Sequence, residues 1–206
     1  MNKEEIVTPS YYTTLQRAAN AEFRDRGSRF IAYSFPINEV NDFKRNLAEI
    51  KKEHPKASHY CFAYRLGLDG TNFRVSDDGE PSGTAGRPIL GQIDSKQITD
   101  SLIIVVRYFG GTLLGVPGLI NAYKTSASLV LQVTPFVQKP ILVHYRLQFD
   151  YTQMNEVMKV AKQFDCVAGE QDLNLFCNMQ LGVPVGREDE VLFKLRAIRG
   201  VEIGKV

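Results

Sequence analysis

Five consecutive residues, Leu102-Ile103-Ile104-Val105-Val106, constrain this chain more than any other stretch. The run is apolar at every position and mostly β-branched, so it has no solvent side and predicts a strand buried on both faces. A chain built around such a strand needs apolar surface enough to cover it twice. Its 206 residues are 44% hydrophobic and 23% charged, the proportions of a globular protein and not of a disordered chain or a coiled coil.

The segments around this strand supply the cover. Phe23 to Pro36 reads as two strands turned at Gly27-Ser28. A helix follows with Asn38 as N-cap, its stripe Val40, Phe43, Leu47 and Ile50 facing one way, and His54-Pro55 ends it. Lys44, Arg45, Lys51 and Lys52 fall on its solvated face. Tyr60 to Leu68 and Thr71 to Val75 form a hairpin turned at Asp69-Gly70. After Gly118 the pattern is helical, with Leu119, Tyr123, Ala127 and Val130 on one stripe.

A seam lies at Thr134 to Pro140, bracketed by Pro135 and Pro140. Beyond it the order is strand (Ile141 to Phe149), helix (Met154 to Phe164), a hairpin (Cys166 to Glu170, Leu173 to Val183), helix (Val191 to Ile198) and strand (Gly200 to Val206). This is the ferredoxin-like βαββαβ order. The expectation is an α+β protein of two domains, residues 1–136 and 140–206.

Charge and cysteine usage remove several classes of function. Net charge is +2, with +3 in residues 1–139 and −1 in residues 140–206, far from a polybasic nucleic-acid binder. No stretch has the roughly 18 apolar residues of a membrane span, and Met1-Asn2-Lys3-Glu4-Glu5 is not followed by an apolar leader. Cys61, Cys166 and Cys177 form no Cys-x-x-Cys pair, so reduced thiols in a cytoplasmic protein are expected.

Two glycine-rich segments carry most of the functional signal. In Ser76-Asp77-Asp78-Gly79-Glu80-Pro81-Ser82-Gly83-Thr84-Ala85-Gly86-Arg87-Pro88, Ser82 or Thr84 is placed to cap a helix starting near Arg87. Such a helix start holds anions, and Arg87 adds charge. The same spacing also fits a long turn whose acids bind neighbouring N–H groups. Asp77, Asp78 and Glu80 are residue types that ligate Mg²⁺ or Ca²⁺, but the EF-hand spacing is absent, as are the Walker A and Gly-x-Gly-x-x-Gly loops. No metal or cofactor is expected.

The second segment runs from Arg107-Tyr108-Phe109-Gly110-Gly111 to Gly118. There Arg107 is placed to anchor phosphate or to pair with Asp77 or Asp78, and Tyr108 or Phe109 to stack on a base or to fill the core. Catalytic constellations are sparse. His54 and His59 are five apart, and His144 lacks a visible partner. His59 and Cys61 share one face of a strand, which suits a Cys–His nucleophile pair and equally a small buried cysteine.

His59-Tyr60-Cys61-Phe62-Ala63-Tyr64-Arg65, Ser76 through Leu90 and Val106 through Gly111 together resemble the IMPACT family, in particular its bacterial two-domain, YigZ-type members. The resemblance covers nearly the whole chain. It implies an N-terminal α/β-sandwich domain similar to the second domain of a small-subunit ribosomal protein, and a ferredoxin-like C-terminal domain. That order resembles domains IV and V of elongation factor G. Eukaryotic relatives restrain a kinase that senses amino-acid starvation by competing for its activator, whereas for bacterial members the family implies a role in translation or RNA binding and supplies no established enzymatic activity to carry over.

The family's motif positions fall here on His59, Cys61, Arg65, Ser76, Asp77, Asp78, Glu80, Ser82, Thr84, Arg87, Arg107 and Tyr108. The chain departs from the family at Pro117, where a glycine is common, and at Asn121, where a basic residue is common. Lys124, one turn later, is placed to compensate. All of these except Cys61 are taken as binding residues and none as catalytic. Three readings follow: a translation- or stress-related protein that binds RNA or the ribosome through the glycine loops, a protein-interaction module, and a hydrolase using the acidic loop with His59 and Cys61.

Overall fold

The structure, a computed structural model, describes residues 9–173 and 176–206. Of the segments read above, Met1 to Glu5 and residues 174–175 of the stretch Leu173 to Val183 lie outside them. The chain is mixed α and β and forms two compact units, one of Tyr12–Lys139 and one of Pro140–Val206 with residues 9–11.

In the first unit the strands are β1 (Tyr11–Leu15), β2 (Ala19–Asp25), β3 (Ser28–Pro36), β4 (His59–Leu66), β5 (Asn72–Ser76), β6 (Ser101–Tyr108) and β7 (Phe136–Pro140). The helices are α1 (Val40–Glu53), α2 (Gly86–Ser95) and α3 (Gly115–Val133). Five strands make one antiparallel sheet in the order β2-β3-β6-β4-β5. The apolar run therefore sits in the central strand, and Leu102 to Val106 are all fully buried. Strand alternation divides the sheet's side chains between two cores. Phe30, Ala32, Cys61, Ala63, Ile103 and Val105 pack with α2 and α3. Ile31, Phe62, Tyr64, Leu102, Ile104 and Val106 pack with Phe43 and Ile50 of α1. The unit thus has three layers.

Several boundaries differ from the sequence reading. β2 begins at Ala19, and its turn to β3 uses Arg26 and Gly27, both at positive φ (44° and 80°), the geometry that matches strand twist. Helix α1 is capped at Glu39 and not at Asn38, because the Asp42 carboxylate accepts the N–H groups of Asn38 (2.9 Å) and Glu39 (3.3 Å). Helix α3 starts at Gly115, three residues early, since Pro117 in a first turn gives up an N–H that has no helical partner anyway. The seam at Thr134 to Pro140 contains a strand, β7, which pairs with β1 in a separate two-stranded sheet.

The second unit contains β8 (Leu142–Asp150), α4 (Met154–Gln163), β9 (Val167–Leu173), β10 (Phe176–Pro184), α5 (Glu188–Arg196) and β11 (Glu202–Lys205). The sheet order is β11-β8-β10-β9, all antiparallel. Leu147, Phe149, Cys177, Met179 and Leu181 on one face pack with Val157 and Ala161 of α4 and Val191 and Leu195 of α5.

Candidate functional site

The two glycine-rich segments meet at one end of the first unit's sheet. The first leaves the end of β5 at Ser76, and the second leaves β6 after Tyr108. The sheet register sets His59 of β4 opposite Arg107 of β6. Side-chain alternation then turns His59, Cys61 and Arg107 toward α2 and α3.

The first loop is organised by its own acids. The Asp77 carboxylate accepts the N–H groups of Gly83 (2.8 Å), Ala85 (2.9 Å) and Gly86 (2.8 Å) and so occupies the start of α2. Thr84 instead donates its hydroxyl to the Pro81 carbonyl at 2.7 Å, and Ser82 is exposed, so neither expected cap is used. A carboxylate from within the chain fills the place where an external anion was expected. Burial pushes the Asp77 carboxyl up, but the bonds from Gly83, Gly86 and Ala85 outweigh it and hold the group below the usual 3.8.

A depressed folded value means that Asp77 contributes stability above the unfolded pKa, lost as pH falls through the folded one. Asp77→Asn is expected to cost about 1–2 kcal/mol at neutral pH, as for loss of a helix cap. It is also expected to flatten the acid limb of stability below pH 3.8. Urea midpoints at neutral pH and near pH 3 measure both effects; equal acid sensitivity in the variant and the parent would contradict this assignment.

Asp78 sits at φ 43° beside Gly79 and closes the turn back onto β4. Its carboxylate accepts the Tyr60 N–H at 2.6 Å, its N–H reaches Ser76 Oγ at 3.2 Å, and its carbonyl accepts from His59 Nδ1 at 2.8 Å. A carbonyl only accepts, so Nδ1 of His59 carries the proton.

Glu80 is buried, and so is its partner. Its Oε1 lies 2.6 Å from Arg107 Nη1, 2.7 Å from Tyr123 Oη and 3.8 Å from His59 Nε2. Arg107 thus pairs with Glu80 and not with Asp77 or Asp78. Its guanidinium lies between the rings of Phe30 and Phe109, with Nη2 3.4 Å from Ser28 Oγ and Nε without a partner. Phe109 caps this cation while half exposed, so it does not fill the core. Cys61 Sγ lies 3.0 Å from the Asp77 carbonyl and 3.2 Å from Tyr123 Oη. Burial pushes that thiol up, which favours its protonated form.

Other expected residues lie apart from this cluster. Tyr108 alternates to the α1 side, where its hydroxyl meets His54 Nδ1 at 2.9 Å and Tyr33 meets His54 Nε2 at 2.6 Å. Arg65 is six residues along β4 from His59 and binds Asp94 of α2 at 2.6 Å. Arg87 and Lys124 are exposed. Ser28, Phe30, Tyr123 and His54 complete the arrangement without having been picked out as site residues. Among the described residues no group of three or more His, Cys, Asp or Glu is placed to hold a metal, and no helix is long and apolar enough to cross a membrane.

Residues 26–131 match the model of the Impact N-terminal domain. The IMPACT family member YigZ of Escherichia coli is 34% identical over 170 residues, which are 82% of this chain and 83% of YigZ. The IMPACT family member YvyE of Bacillus subtilis is 30% identical over 193 residues, 86% of this chain and 89% of YvyE. A crystal structure of a hypothetical protein superposes with a TM-score of 0.80 at 28% identity, covering 97% of this chain and 98% of that one.

Proposed function

This chain belongs to the IMPACT family, and from that premise we propose that it is a cytoplasmic regulator of translation that binds the ribosome through the outer rim of its two glycine loops. The two units are read as domains divided near residues 136–140. The second takes the ferredoxin-like form, and the pair follows the domain order of elongation factor G.

One observation carries the reading. Every acid of the first loop is engaged from within, Asp77 by three N–H groups, Asp78 by Tyr60 and Glu80 by Arg107 and Tyr123. Outside, the loops present Ser82, glycine backbone and Arg87 beside the engaged Asp78 and the apolar Phe109 and Leu113, with Lys124 on α3. A loop whose carboxylates are held by its own N–H groups and by Arg107 leaves Arg87 and Lys124 exposed and, among the described residues, unpaired, and such cations suit a phosphate backbone. Glu80, Arg107 and Tyr123 act as positioning groups in this reading.

Co-sedimentation of the whole protein with purified ribosomes tests it. The pelleted fraction is expected to fall steeply between about 50 mM and about 200 mM salt, as counterion release requires. Arg87→Ala with Lys124→Ala is expected to lower it to background at the lower salt. Protein that stays in the supernatant, or pellets equally at both salts, would overturn the reading.

A further inference from the structure

The segment that follows the capped Arg107 is apolar on the wrong side. Phe109 is 49% exposed, Leu113 83%, Val116 52% and Ile120 38%. Val116 and Ile120 are one turn apart on α3, and Leu113 precedes its first turn. The opposite face of the helix is already committed, with Leu119, Ala122, Tyr123, Ala127 and Val130 in the core. At its first two turns α3 therefore carries apolar side chains outward as well as inward, an exposed patch of the kind that marks an interaction surface.

Charge around the ridge says what kind. No aspartate or glutamate occurs from Ser101 through Phe149, so the loop and α3 contribute no carboxylate. Lys124 continues the exposed row one turn beyond Ile120. Arg26, whose side chain is more than half exposed and only loosely paired with Asp25 at 3.9 Å, stands at the turn whose Gly27 backbone abuts Gly110. The ridge is therefore apolar, with the Lys124 cation at one end and, at the turn beside Gly110, Arg26 with its loose partner Asp25.

We propose that the Leu113–Val116–Ile120 ridge docks an acidic protein segment, one that lays aliphatic or aromatic side chains on the ridge and carboxylates toward Lys124 and Arg26. This rests on the reading above, that the rim of the second glycine loop is a contact surface, and adds a protein contact to it. Aliphatic side chains offer no ring on which a base stacks, which disfavours RNA at this spot. Two cations are fewer than the four to eight or so that hold a protein on an anionic membrane. A second copy of the chain would bring a carboxylate-free surface onto another.

The test is selection of displayed random peptides of about 15 residues on the intact protein, followed by fluorescence anisotropy of the enriched sequences. Enriched peptides are expected to combine Asp or Glu with Leu, Ile or Phe. Leu113→Ser with Ile120→Ser is expected to weaken them about tenfold or more, as removal of central anchors does. Lys124→Glu is expected to turn the selection toward Lys- and Arg-bearing peptides. Both variants change exposed side chains, and an unchanged thermal melt shows that they fold.

Failure to enrich any peptide, enrichment without acids, or binding indifferent to both variants would overturn the proposal. So would phosphatidylglycerol vesicles or poly(U) that bind the parent and lose binding in the Leu113/Ile120 variant. That variant keeps Arg87 and Lys124. Loss of peptide binding with ribosome pelleting intact, or the reverse, therefore separates failure of this proposal from failure of the ribosome reading.

Discussion

Alanine at position 110 is expected to destabilise the first unit by on the order of 4 kcal/mol, lowering its thermal midpoint by roughly 10 °C. A Cβ on Gly110 would lie 1.9 Å from the Gly27 carbonyl carbon and 2.2 Å from both Gly27 O and Ser28 N. These are backbone atoms of the tight β2–β3 turn, which cannot rotate away as a flexible side chain can. The turn is held in place by Ser28, fully buried, whose Oγ accepts the Gly110 N–H at 3.2 Å. Moving the turn also moves Ser28 away from Arg107.

Gly91→Ala in α2 is the control. Nothing lies within 4 Å of its added methyl, and alanine in a helix interior is expected to be neutral or to stabilise by up to about 1 kcal/mol. Thermal unfolding followed by circular dichroism measures both variants. A Gly110→Ala protein that melts with the parent would mean that the two turns do not touch.

The sequence shows the fold where a single element carries its own pattern. Leu102 to Val106 needs no neighbour to be recognised as a buried strand, and Phe43 and Ile50 mark the inner face of α1 by spacing alone. The β1–β7 pair was hidden because Pro135 and Pro140 look like a break. Proline at the edge of a strand is tolerated where no neighbour needs its N–H, and β7 has one partner strand.

The site was partly legible. Asp77 reaches residues up to nine positions on through a folded loop, and no local spacing announces such a cap. Arg107 and Tyr108 could have been separated by parity. The run that buries both faces of β6 continues the alternation, so Arg107 follows Val105 inward to one core and Tyr108 follows Val106 to the other. An arginine carried inward by a strand needs a buried carboxylate, and the nearby loop offers three. Which of the three it takes depends on the path of that loop, and only the fold shows that it is Glu80.

Methionine at position 107 is expected to cost about 3–5 kcal/mol, because it leaves a buried carboxylate without its cation. Glu80 would keep the Tyr123 hydroxyl at 2.7 Å and a distant His59 Nε2 at 3.8 Å, too little to replace a charge-assisted bond of 2.6 Å. Glu80→Gln alone is expected to fall in the same range, since it strands the guanidinium between Phe30 and Phe109. The two changes together are expected to cost less than either one. Removing both charges removes the desolvation penalty as well, and the coupling energy should therefore be at least about 3 kcal/mol. Urea unfolding of the four proteins measures the cycle, and simple additivity would refute the pairing. The double variant also divides positioning from contact. Arg107 has almost no surface to offer a ribosome, so a folded Arg107→Met/Glu80→Gln protein is expected to pellet as the parent does. If it folds with parental stability and no longer pellets, Arg107 must emerge from beneath Phe109 to touch the partner itself.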